Sequence, residues 1–415
     1  MIKLIHKKGK HINRVLNAEE SISANSEQLA IVFWELAEKY PEEIIAWCEE
    51  EFEKELNTNS WQDVFHHDLI MASYALKSVY LPDAVGYIDQ LPFVNINREV
   101  QYATWRMSTD VGGITGEVLL KFRKMFGHIK DFGLLLNSIA KLGQQNGLFC
   151  YSAPQLVMQQ PAFDSNSGNT SSSSGLAQPD ILDPKASSKE LFSFVYSHYK
   201  SIRLWLLFWC FMKYEKSIPL EAFLGAFFYR KCFKKEVDLS GIAVKSLKPG
   251  IRNTIDVIIP SLGRREYLLQ VLDDLKVQTL LPKKVIVVEQ NPQPDSQTEL
   301  PELKTQDWPF EMVHHFTHQT GACNARNLAL EEVDAEWVFF ADDDNRMEND
   351  VLEKSMQKIK SLVVDLLTLK YSKEGDKLIF DKVKQWGTFG AGNSLVSGKF
   401  ASQLRFDMDF ENGYG

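Results

Sequence analysis

The sequence predicts an α/β protein, and its second half carries the clearest pattern. Short β-branched runs at 255–260 and 284–290 flank a segment, 265–278, whose leucines recur at helical spacing. The pattern continues with a strand, a helix and a further strand over 311–316, 321–333 and 337–341. Strands that alternate with helices in this way are typical of a parallel sheet, in which ligands bind beyond the carboxyl ends of the strands.

Composition limits the class of protein. The chain has 415 residues, of which 44% are hydrophobic and 24% charged, which predicts a soluble globular protein of two or three domains. Its net charge of -9 argues against a nucleic-acid partner, because phosphate binding needs concentrated Lys and Arg. Five scattered cysteines without CxxC spacing indicate reduced thiols, and the first residues lack a signal-peptide pattern, so a cytoplasmic location is expected.

Two breaks divide the chain. A Ser- and Gly-rich tract at 164–180 predicts a flexible surface loop, and Pro249 with Gly250 precedes the strand pattern of the second half. The expected domains are an α/β domain over 1–187, an aromatic-rich helical connector over 188–249, and a second α/β domain over 250–415. Strands in the first domain are expected in the segments IKLIHKKGK, EEIIAWCEE, AVGYIDQ and GLFCYS.

The connector allows two interpretations. An apolar run over 204–212 is too short to cross a bilayer, which needs about 20 residues. The aromatic and basic side chains of 203–235 would suit a helix that lies in a membrane interface, peripherally at the inner face. The alternative is a helical hairpin packed against its own domain, which we favour because aromatic stripes more often belong to a core.

Three consecutive aspartates, Asp342 to Asp344, follow the strand at 337–341 directly. Stacked carboxylates repel one another, so a divalent cation such as Mg²⁺ or Mn²⁺ is their natural partner. Ser261, Glu289 and the helix that starts at Gly321 should reach the same edge of the sheet. The sequence therefore predicts one crevice with a cation and a phosphate-bearing ligand.

These motifs together resemble the family 2 glycosyltransferases of the GT-A fold, a Rossmann-like fold that binds nucleotide-diphospho-sugars. The segment 257–290, the motif GACNARNLAL and the motif FFADDDN match in order and spacing. The resemblance implies a DxD motif in which Asp344 and Asp342 hold Mn²⁺ or Mg²⁺. It also implies donor-binding roles for Pro260, Ser261, Arg264, Glu289, Arg326, Asp342 and Asp343.

The segment 387–400 resembles the Gly-rich part of the family that borders the acceptor. The resemblance assigns to the acceptor region Trp386, Gly390, Gly392 and Asn393. In the family an acidic pair that contains the general base follows this segment. No such pair occurs before Gly415, and neither Asp409 nor Glu411 aligns with it, so we expect the base beyond the last residue. The chain is then either a fragment of a longer enzyme or a donor-binding protein with poor transfer activity.

The first half shows weaker signs of the same fold. The segment 108–122 resembles the Gly-rich acceptor segment, but no DxD motif occurs in residues 1–240. A degenerate glycosyltransferase-like module and an unrelated α/β domain both remain open.

The expected function is that of an inverting, metal-dependent glycosyltransferase. It would move a sugar from a nucleotide-diphosphate donor, UDP-linked by the resemblance, to a glycan or lipid-linked acceptor in polysaccharide biosynthesis. Two alternatives are a non-catalytic donor-binding or scaffolding protein and a nucleotidyltransferase, which also uses carboxylates and Mg²⁺ in an α/β site.

Overall fold

The computed structural model describes residues 1–17, 20–23, 26–89, 98–158, 183–242, 244, 252–372, 383–385 and 389–410. The chain divides into two compact units. The N-terminal unit comprises residues 1–247 with 380–385, and the C-terminal unit comprises residues 248–379 with 386–415.

The N-terminal unit is built on a mixed sheet. Its strands are β1 (Ile2–Lys7), β2 (His11–Asn17), β3 (Glu20–Ile22), β4 (Ile44–Glu49), β5 (Ile70–Tyr74), β6 (Ser78–Val79), β7 (Tyr102–Ala103), β8 (Val111–Thr115), β9 (Phe149–Ser152) and β10 (Asp183–Pro184). Eight of them form one sheet in the order β3-β2-β1-β4-β8-β5-β9-β7, and β10 pairs with β6. Strand β1 is parallel to β4, whereas β8 is antiparallel to both of its neighbours, β4 and β5.

Helices of the N-terminal unit surround this sheet. They are α1 (Leu29–Lys39), α2 (Trp61–Val64), α3 (Gly116–Lys121), α4 (Arg123–Phe126), α5 (Phe132–Gln145), α6 (Ser188–His198), α7 (Ser201–Lys213) and α8 (Leu220–Ala226). Phe33, Trp47 and Phe132, from α1, β4 and α5, meet edge to face with ring centroids 5.2 to 6.1 Å apart. Gly112 in β8 faces Trp47, and a Cβ there would lie 2.2 Å from the indole ring, so this strand needs glycine to pack.

One predicted strand of the first half is wrong. The segment AVGYIDQ, at 84–90, contains a 3₁₀-helix over Asp83–Tyr87 instead. Pro82 fixes an extended residue just before it, and Asp83 then opens the turn, so the apolar side chains are buried from a helical turn. The strands expected near β1, β4 and β9 are present.

The C-terminal unit has a sheet with four parallel strands. Its strands are β11 (Ile255–Leu262), β12 (Lys284–Gln290), β13 (Glu311–Thr317), β14 (Trp337–Ala341), β15 (Leu366–Thr368) and β16 (Asn393–Ser397), in the order β13-β12-β11-β14-β16-β15. The helices are α9 (Arg265–Lys276), α10 (Glu302–Thr305), α11 (Ala322–Leu330), α12 (Val351–Leu362) and α13 (Gly398–Ala401). Strands β13, β12, β11 and β14 run parallel, and β16 is antiparallel to β14.

Apolar side chains cover both faces of this sheet. Leu268, Leu272 and Leu275 of α9 join α12 and one face of the strands in a single core cluster. Ala325 and Ala329 of α11 pack against the other face with Ile258. All residues of β12 are buried, as expected for a parallel strand covered on both sides. The α/β class predicted from the sequence is confirmed. The candidate site lies at the edge of this sheet where the parallel strands end.

Candidate functional site

A cleft of about 570 Å³ lies at the carboxyl ends of the parallel strands of the C-terminal unit. Its lining residues are Pro260, Ser261, Leu262, Arg264, Gln290, Thr320, Gly321, Ala322, Arg326, Asp342, Asp343 and Asp344. Strand β11 supplies the first of these and β14 leads directly into the aspartates. Helix α11 starts after Gly321, whose φ of 129° suits glycine, and Gly321 and Ala322 line the cleft, so the N-terminal end of this helix lies at the same edge. Seven of the eight residues that the sequence predicts for the donor and the cation therefore share one cleft.

The three aspartates lie in different environments. The side chain of Asp343 is 8% exposed, whereas those of Asp342 and Asp344 are 36% and 43% exposed. Asp343 accepts a hydrogen bond from the hydroxyl of Ser261 at 2.8 Å. Burial raises the pKa of Asp343, and Ser261 and Arg264 oppose that rise by stabilising the carboxylate. Asp343 thus belongs to the floor of the cleft, and its two neighbours face the space above.

Two arginines bind these carboxylates. Arg264 Nη1 lies 2.6 Å from Asp344 Oδ2 and 3.4 Å from Asp343 Oδ1. The pKa of Arg264 is raised by these two carboxylates, so its charge is permanent. Arg326 Nη2 lies 3.0 Å from Asp342 Oδ1, and its guanidinium also lies over the ring of Phe406. The cleft therefore offers both positive and negative groups to a ligand that contains phosphates and a cation.

Glu289 is the predicted donor residue that does not line the cleft. Its carboxylate is buried and accepts hydrogen bonds from Thr298 Oγ1 at 2.6 Å and from the backbone N–H of Glu299 at 2.7 Å. His314 Nε2 lies 2.9 Å from the same carboxylate, and burial lowers the pKa of His314 although Glu289 opposes this. The neighbouring Gln290 lines the cleft instead and accepts the N–H of Gly321 at 2.7 Å. Since side chains alternate along a strand, the one-residue difference changes which side chain faces the ligand.

Of the residues predicted for the acceptor region, Gly392 lies against Asp342. A Cβ on Gly392 would lie 1.9 Å from Asp342 Oδ2, and a Cβ on Gly390 would lie 1.9 Å from Asn393 Oδ1. Both positions therefore exclude any larger residue as long as these contacts hold. Asn393 itself is buried and donates to the carbonyl of Leu369. Trp386 lies outside the described residues.

Tyr371 is a residue at this site that the sequence did not reveal. Its hydroxyl donates to the carbonyl of Gly392 at 2.8 Å and lies 3.5 Å from Asp342 Oδ2. Burial and the charge of Asp342 raise the pKa of Tyr371 to about 12, so the hydroxyl remains a donor at neutral pH. Tyr371 lies in a charged segment after β15 with no local motif, and only the sheet pairing of β15 with β16 brings it near Asp342.

The donor set suits a divalent cation that is shared with a ligand. Among the described residues no group of three or more His, Cys, Asp or Glu side chains surrounds a common point. Asp342 and Asp344 nevertheless present half-exposed oxygens to the cleft. Magnesium-type ions often bind through one or two carboxylates and complete their shell with water and substrate phosphates. The residues therefore fit such an ion bound together with a diphosphate.

Comparison with known proteins gives one family match and several structural similarities. Residues 256–399 match the family model described as Glycosyl transferase family 2. The S. aureus TarS 1-349 structure is 23% identical over 31% of this chain and 38% of that chain, with a TM-score of 0.26. The same protein in complex with UDP gives 18% identity, 39% and 52% coverage and a TM-score of 0.33. The mannosyltransferase PcManGT from Pyrobaculum calidifontis, in complex with GDP-Man and Mn²⁺, gives 22% identity, 29% and 36% coverage and a TM-score of 0.25. This chain thus spans from about a third to about half of those structures' length, and no curated protein matches it.

The parallel sheet with an acidic cleft at its strand ends forms an α/β domain, and the match to the Glycosyl transferase family 2 model supports the GT-A type for it. Within that class, residues 256–399 match the Glycosyl transferase family 2 model, which agrees with the resemblance found in the motifs.

Proposed function

We propose that the C-terminal unit transfers a sugar from a nucleotide-diphosphate donor to the hydroxyl of a glycan or lipid-linked acceptor. The observation that carries the proposal is the cleft itself, in which three consecutive aspartates and two arginines meet at the ends of β11 and β14. Acidic oxygens alone would repel a diphosphate, and arginines alone would not hold a cation. Their combination suits a diphosphate that arrives with its cation.

The residues divide the proposed work between them. Asp342 and Asp344 would hold Mn²⁺ or Mg²⁺, which neutralises the charge that develops on the departing diphosphate. Arg264 and Arg326 would bind phosphate or base oxygens of the donor, and Ser261 with Asp343 would support the floor on which they rest. The N-terminal end of α11 borders the same cleft, where it would favour an anion.

The remaining parts of the proposal rest on the motif resemblance. These are a UDP-linked donor, inversion at the anomeric carbon by direct attack of the acceptor hydroxyl, and a role in polysaccharide biosynthesis. Gly390, Gly392 and Asn393, beside Asp342, are the proposed acceptor side of the cleft. Glu289 retains a proposed indirect role, because it holds the loop at 298–299 next to Gln290.

The decisive experiment measures nucleotide release from a panel of sugar nucleotides with Mn²⁺. Asp344→Ala should lower turnover by about 100-fold or more, since a group that stabilises charge in the transition state is removed. Asp273→Ala is the matched control, because that carboxylate is 68% exposed and pairs with Lys276. Its turnover should be unchanged.

Two other outcomes would contradict the proposal. Release of pyrophosphate from a nucleoside triphosphate would identify a nucleotidyltransferase. Binding of a sugar nucleotide without any turnover, with any acceptor extract supplied, would identify a donor-binding or scaffolding protein.

The surface of α7 and α8 supports a further proposal, peripheral contact with an anionic membrane. Helix α7 buries Leu204, Leu207 and Phe211, so one face is packed against its own unit, as the hairpin interpretation expected. Its other face and the neighbouring turn and helix expose apolar side chains, namely Ile202, Trp205, Leu206, Trp209, Ile218, Leu220, Leu224 and Phe228. We call these eight residues the apolar surface.

The positive charge around the apolar surface favours a lipid partner. Residues 200–235 contain eight Lys and Arg against two Glu, although the whole chain carries a net charge of -9. Exposed Trp beside Lys and Arg is typical of helices that lie in a membrane interface. No helix among the described residues is long and apolar enough to cross a bilayer.

Sedimentation with vesicles tests this contact. The chain should pellet with phosphatidylglycerol-containing vesicles and less with pure phosphatidylcholine, and Trp209→Glu with Phe228→Glu should abolish pelleting. Val277→Glu, at a position that is 63% exposed in the C-terminal unit, is the control and should pellet normally. Equal pelleting of all variants, or a concentration-dependent dimer that the double variant abolishes, would contradict a lipid partner.

A further inference from the structure

The two units contain the same arrangement of four strands. In the N-terminal unit β1 lies parallel to β4, β4 pairs antiparallel with β8, and β8 pairs antiparallel with β5. In the C-terminal unit β11, β14, β16 and β15 repeat this order and these directions. A helix follows the third strand immediately in both cases, since α3 begins at Gly116 after β8 and α13 begins at Gly398 after β16.

The pairing registers align the two units residue by residue. Ile44 pairs with Thr115, the last residue of β8, and Trp337 pairs with Ser397, the last residue of β16. Counting forward along β4 and β14 from these pairs places Glu49, Glu50 and Glu51 at the positions of Asp342, Asp343 and Asp344. The N-terminal unit therefore also ends its central strand in three carboxylates, as glutamates rather than a DxD motif.

The first strand gives an independent check of this alignment. Ile2 pairs with Ile45, and Asp256 pairs with Val338, so the same counting places Gly9 at the position of Gly263. Both glycines have a left-handed backbone, with φ of 64° and 65°. The turn after the first strand thus has the same local conformation in both units, although β1 continues into an antiparallel hairpin and β11 continues into α9.

A lysine binds a cluster of two carboxylates in the N-terminal unit, Glu49 and Asp110, which we call the carboxylate cluster. Lys185 Nζ lies 2.9 Å from Glu49 Oε2, 2.7 Å from Asp110 Oδ1 and 2.9 Å from Thr109 Oγ1. The side chain of Asp110 is fully buried and that of Glu49 is 11% exposed. Burial alone would lower the pKa of Lys185, but Asp110 and Glu49 raise it, so the ammonium stays charged.

The second carboxylate oxygen of Asp110 and that of Glu49 accept hydrogen bonds from the backbone. Asp110 Oδ2 accepts the backbone N–H groups of Leu76 and Lys77, and Glu49 Oε1 accepts that of Lys8. The residue that carries the ammonium is itself held by the backbone, because the N–H of Lys185 donates to the carbonyl of Val79. The cluster is therefore saturated by groups of its own unit.

We propose that the N-terminal unit is a second copy of the same four-strand arrangement, in which the Lys185 ammonium permanently occupies the position of a cation at Glu49, the counterpart of Asp342. The described part of the chain then has a single donor site, in the C-terminal unit, a statement that rests on the proposed function. The statement about Lys185 does not rest on it, since it follows from strand register and from contacts within the N-terminal unit.

The first test counts ligands per chain. Titration of the full chain with Mn²⁺ and UDP, followed by Mn²⁺ paramagnetic resonance, should give one complex per chain, and Asp342→Asn with Asp344→Asn should abolish it. A second complex in the wild type, or one that survives in the double variant, would overturn the proposal. If the wild type binds none, the proposed function fails, and the second test still decides the role of Lys185.

The second test removes the ammonium. Lys185→Ala should lower the melting temperature, and Mn²⁺ or Ca²⁺ should restore part of that loss by replacing the missing cation between Glu49 and Asp110. Lys141→Ala is the matched control, because Lys141 is also largely buried but pairs with one carboxylate, that of Asp89, at 2.9 Å. It should also lose stability without cation rescue. Equal cation effects on both variants, or a Lys185→Ala variant as stable as the wild type, would overturn the proposal.

Discussion

The ends of β4 and β14 carry two different kinds of ion pair. The pair at β4 is permanent, whereas the pair at β14 can exchange its partners. At β4, Lys185 lies among carboxylates that are 0% and 11% exposed. At β14, Arg264 is 53% exposed and its partner Asp344 is 43% exposed. Water screens and competes for the second pair, whereas the first is held in a poorly solvated place. The comparison teaches that the same strand end can either complete a fold or receive a ligand, depending on how the opposing cation is anchored.

Removal of the Lys185 ammonium should produce the largest effect on stability. Lys185→Met leaves Asp110 and Glu49 without their counter-ion, so the free energy of unfolding should fall by about 3 to 5 kcal/mol. Urea unfolding followed by fluorescence measures this loss. Transfer activity per folded molecule should remain that of the wild type, and a selective loss of activity without loss of stability would show that the two units do not differ in this way.

Removal of the Arg264 guanidinium should change ligand binding more than stability. Arg264→Ala should change the free energy of unfolding by less than about 1 kcal/mol, because exposed pairs contribute little. Loss of a charged hydrogen bond to the donor should raise the KM for the sugar nucleotide by about tenfold or more. Arg265→Ala is the control, since the adjacent arginine pairs with Glu302 instead of the aspartates. Steady-state kinetics that give equal KM changes for both variants would contradict the role of Arg264.

The requirement for glycine at position 392 can be tested by comparison with Gly225, which has open space around it. Gly392→Ala places a methyl group against Asp342, so the carboxylate must move, and activity should fall by about tenfold at little cost in stability. Gly225→Ala in α8 is the control, because nothing lies within 4 Å of its Cβ position, and alanine favours a helix. Full activity in Gly392→Ala would mean that Asp342 has room to shift without consequence.

The smallest expected effect concerns the cleft floor and pH. Ser261→Ala removes a hydrogen bond that stabilises the Asp343 carboxylate, so the pKa of Asp343, already raised by burial, should rise further. A raised folded-state pKa means that stability is retained at low pH and is lost as pH rises through that pKa. The variant should therefore be less stable than the wild type by about 1 kcal/mol at neutral pH, and the difference should shrink as the pH falls through the raised folded-state pKa values of Asp343. Urea unfolding across this pH range that gives a constant difference would exclude this origin.

Local patterns were sufficient for the parallel strands β11, β12 and β14 and for most of the cleft. The β-branched runs of β11, β12 and β14 are buried on both faces, so their apolar periodicity is strong and their ends are well defined. Because parallel strands end at one edge, the residues after these strands had to meet. The fold class and the family resemblance were accessible for this reason.

Contacts set by long-range pairing were not accessible. Tyr371 reaches Asp342 only because β15 pairs with β16, and Lys185 reaches Glu49 across 136 residues. Gln290 replaces Glu289 at the cleft because the loop at 298–299 binds the Glu289 carboxylate, which a local pattern does not show. The Glu49 triplet escaped notice since only strand register shows that it corresponds to the aspartates.

Arg264 has a consequence for the order in which ligands bind. In the described cleft its guanidinium neutralises Asp343 and Asp344, so a cation that arrives alone must compete with it. A diphosphate offers the guanidinium a new partner and thereby releases acidic oxygens. Nucleotide and cation should then each raise the affinity for the other by the same factor, as thermodynamic linkage requires. A single exposed arginine would in this way couple two binding equilibria without any movement of the sheet.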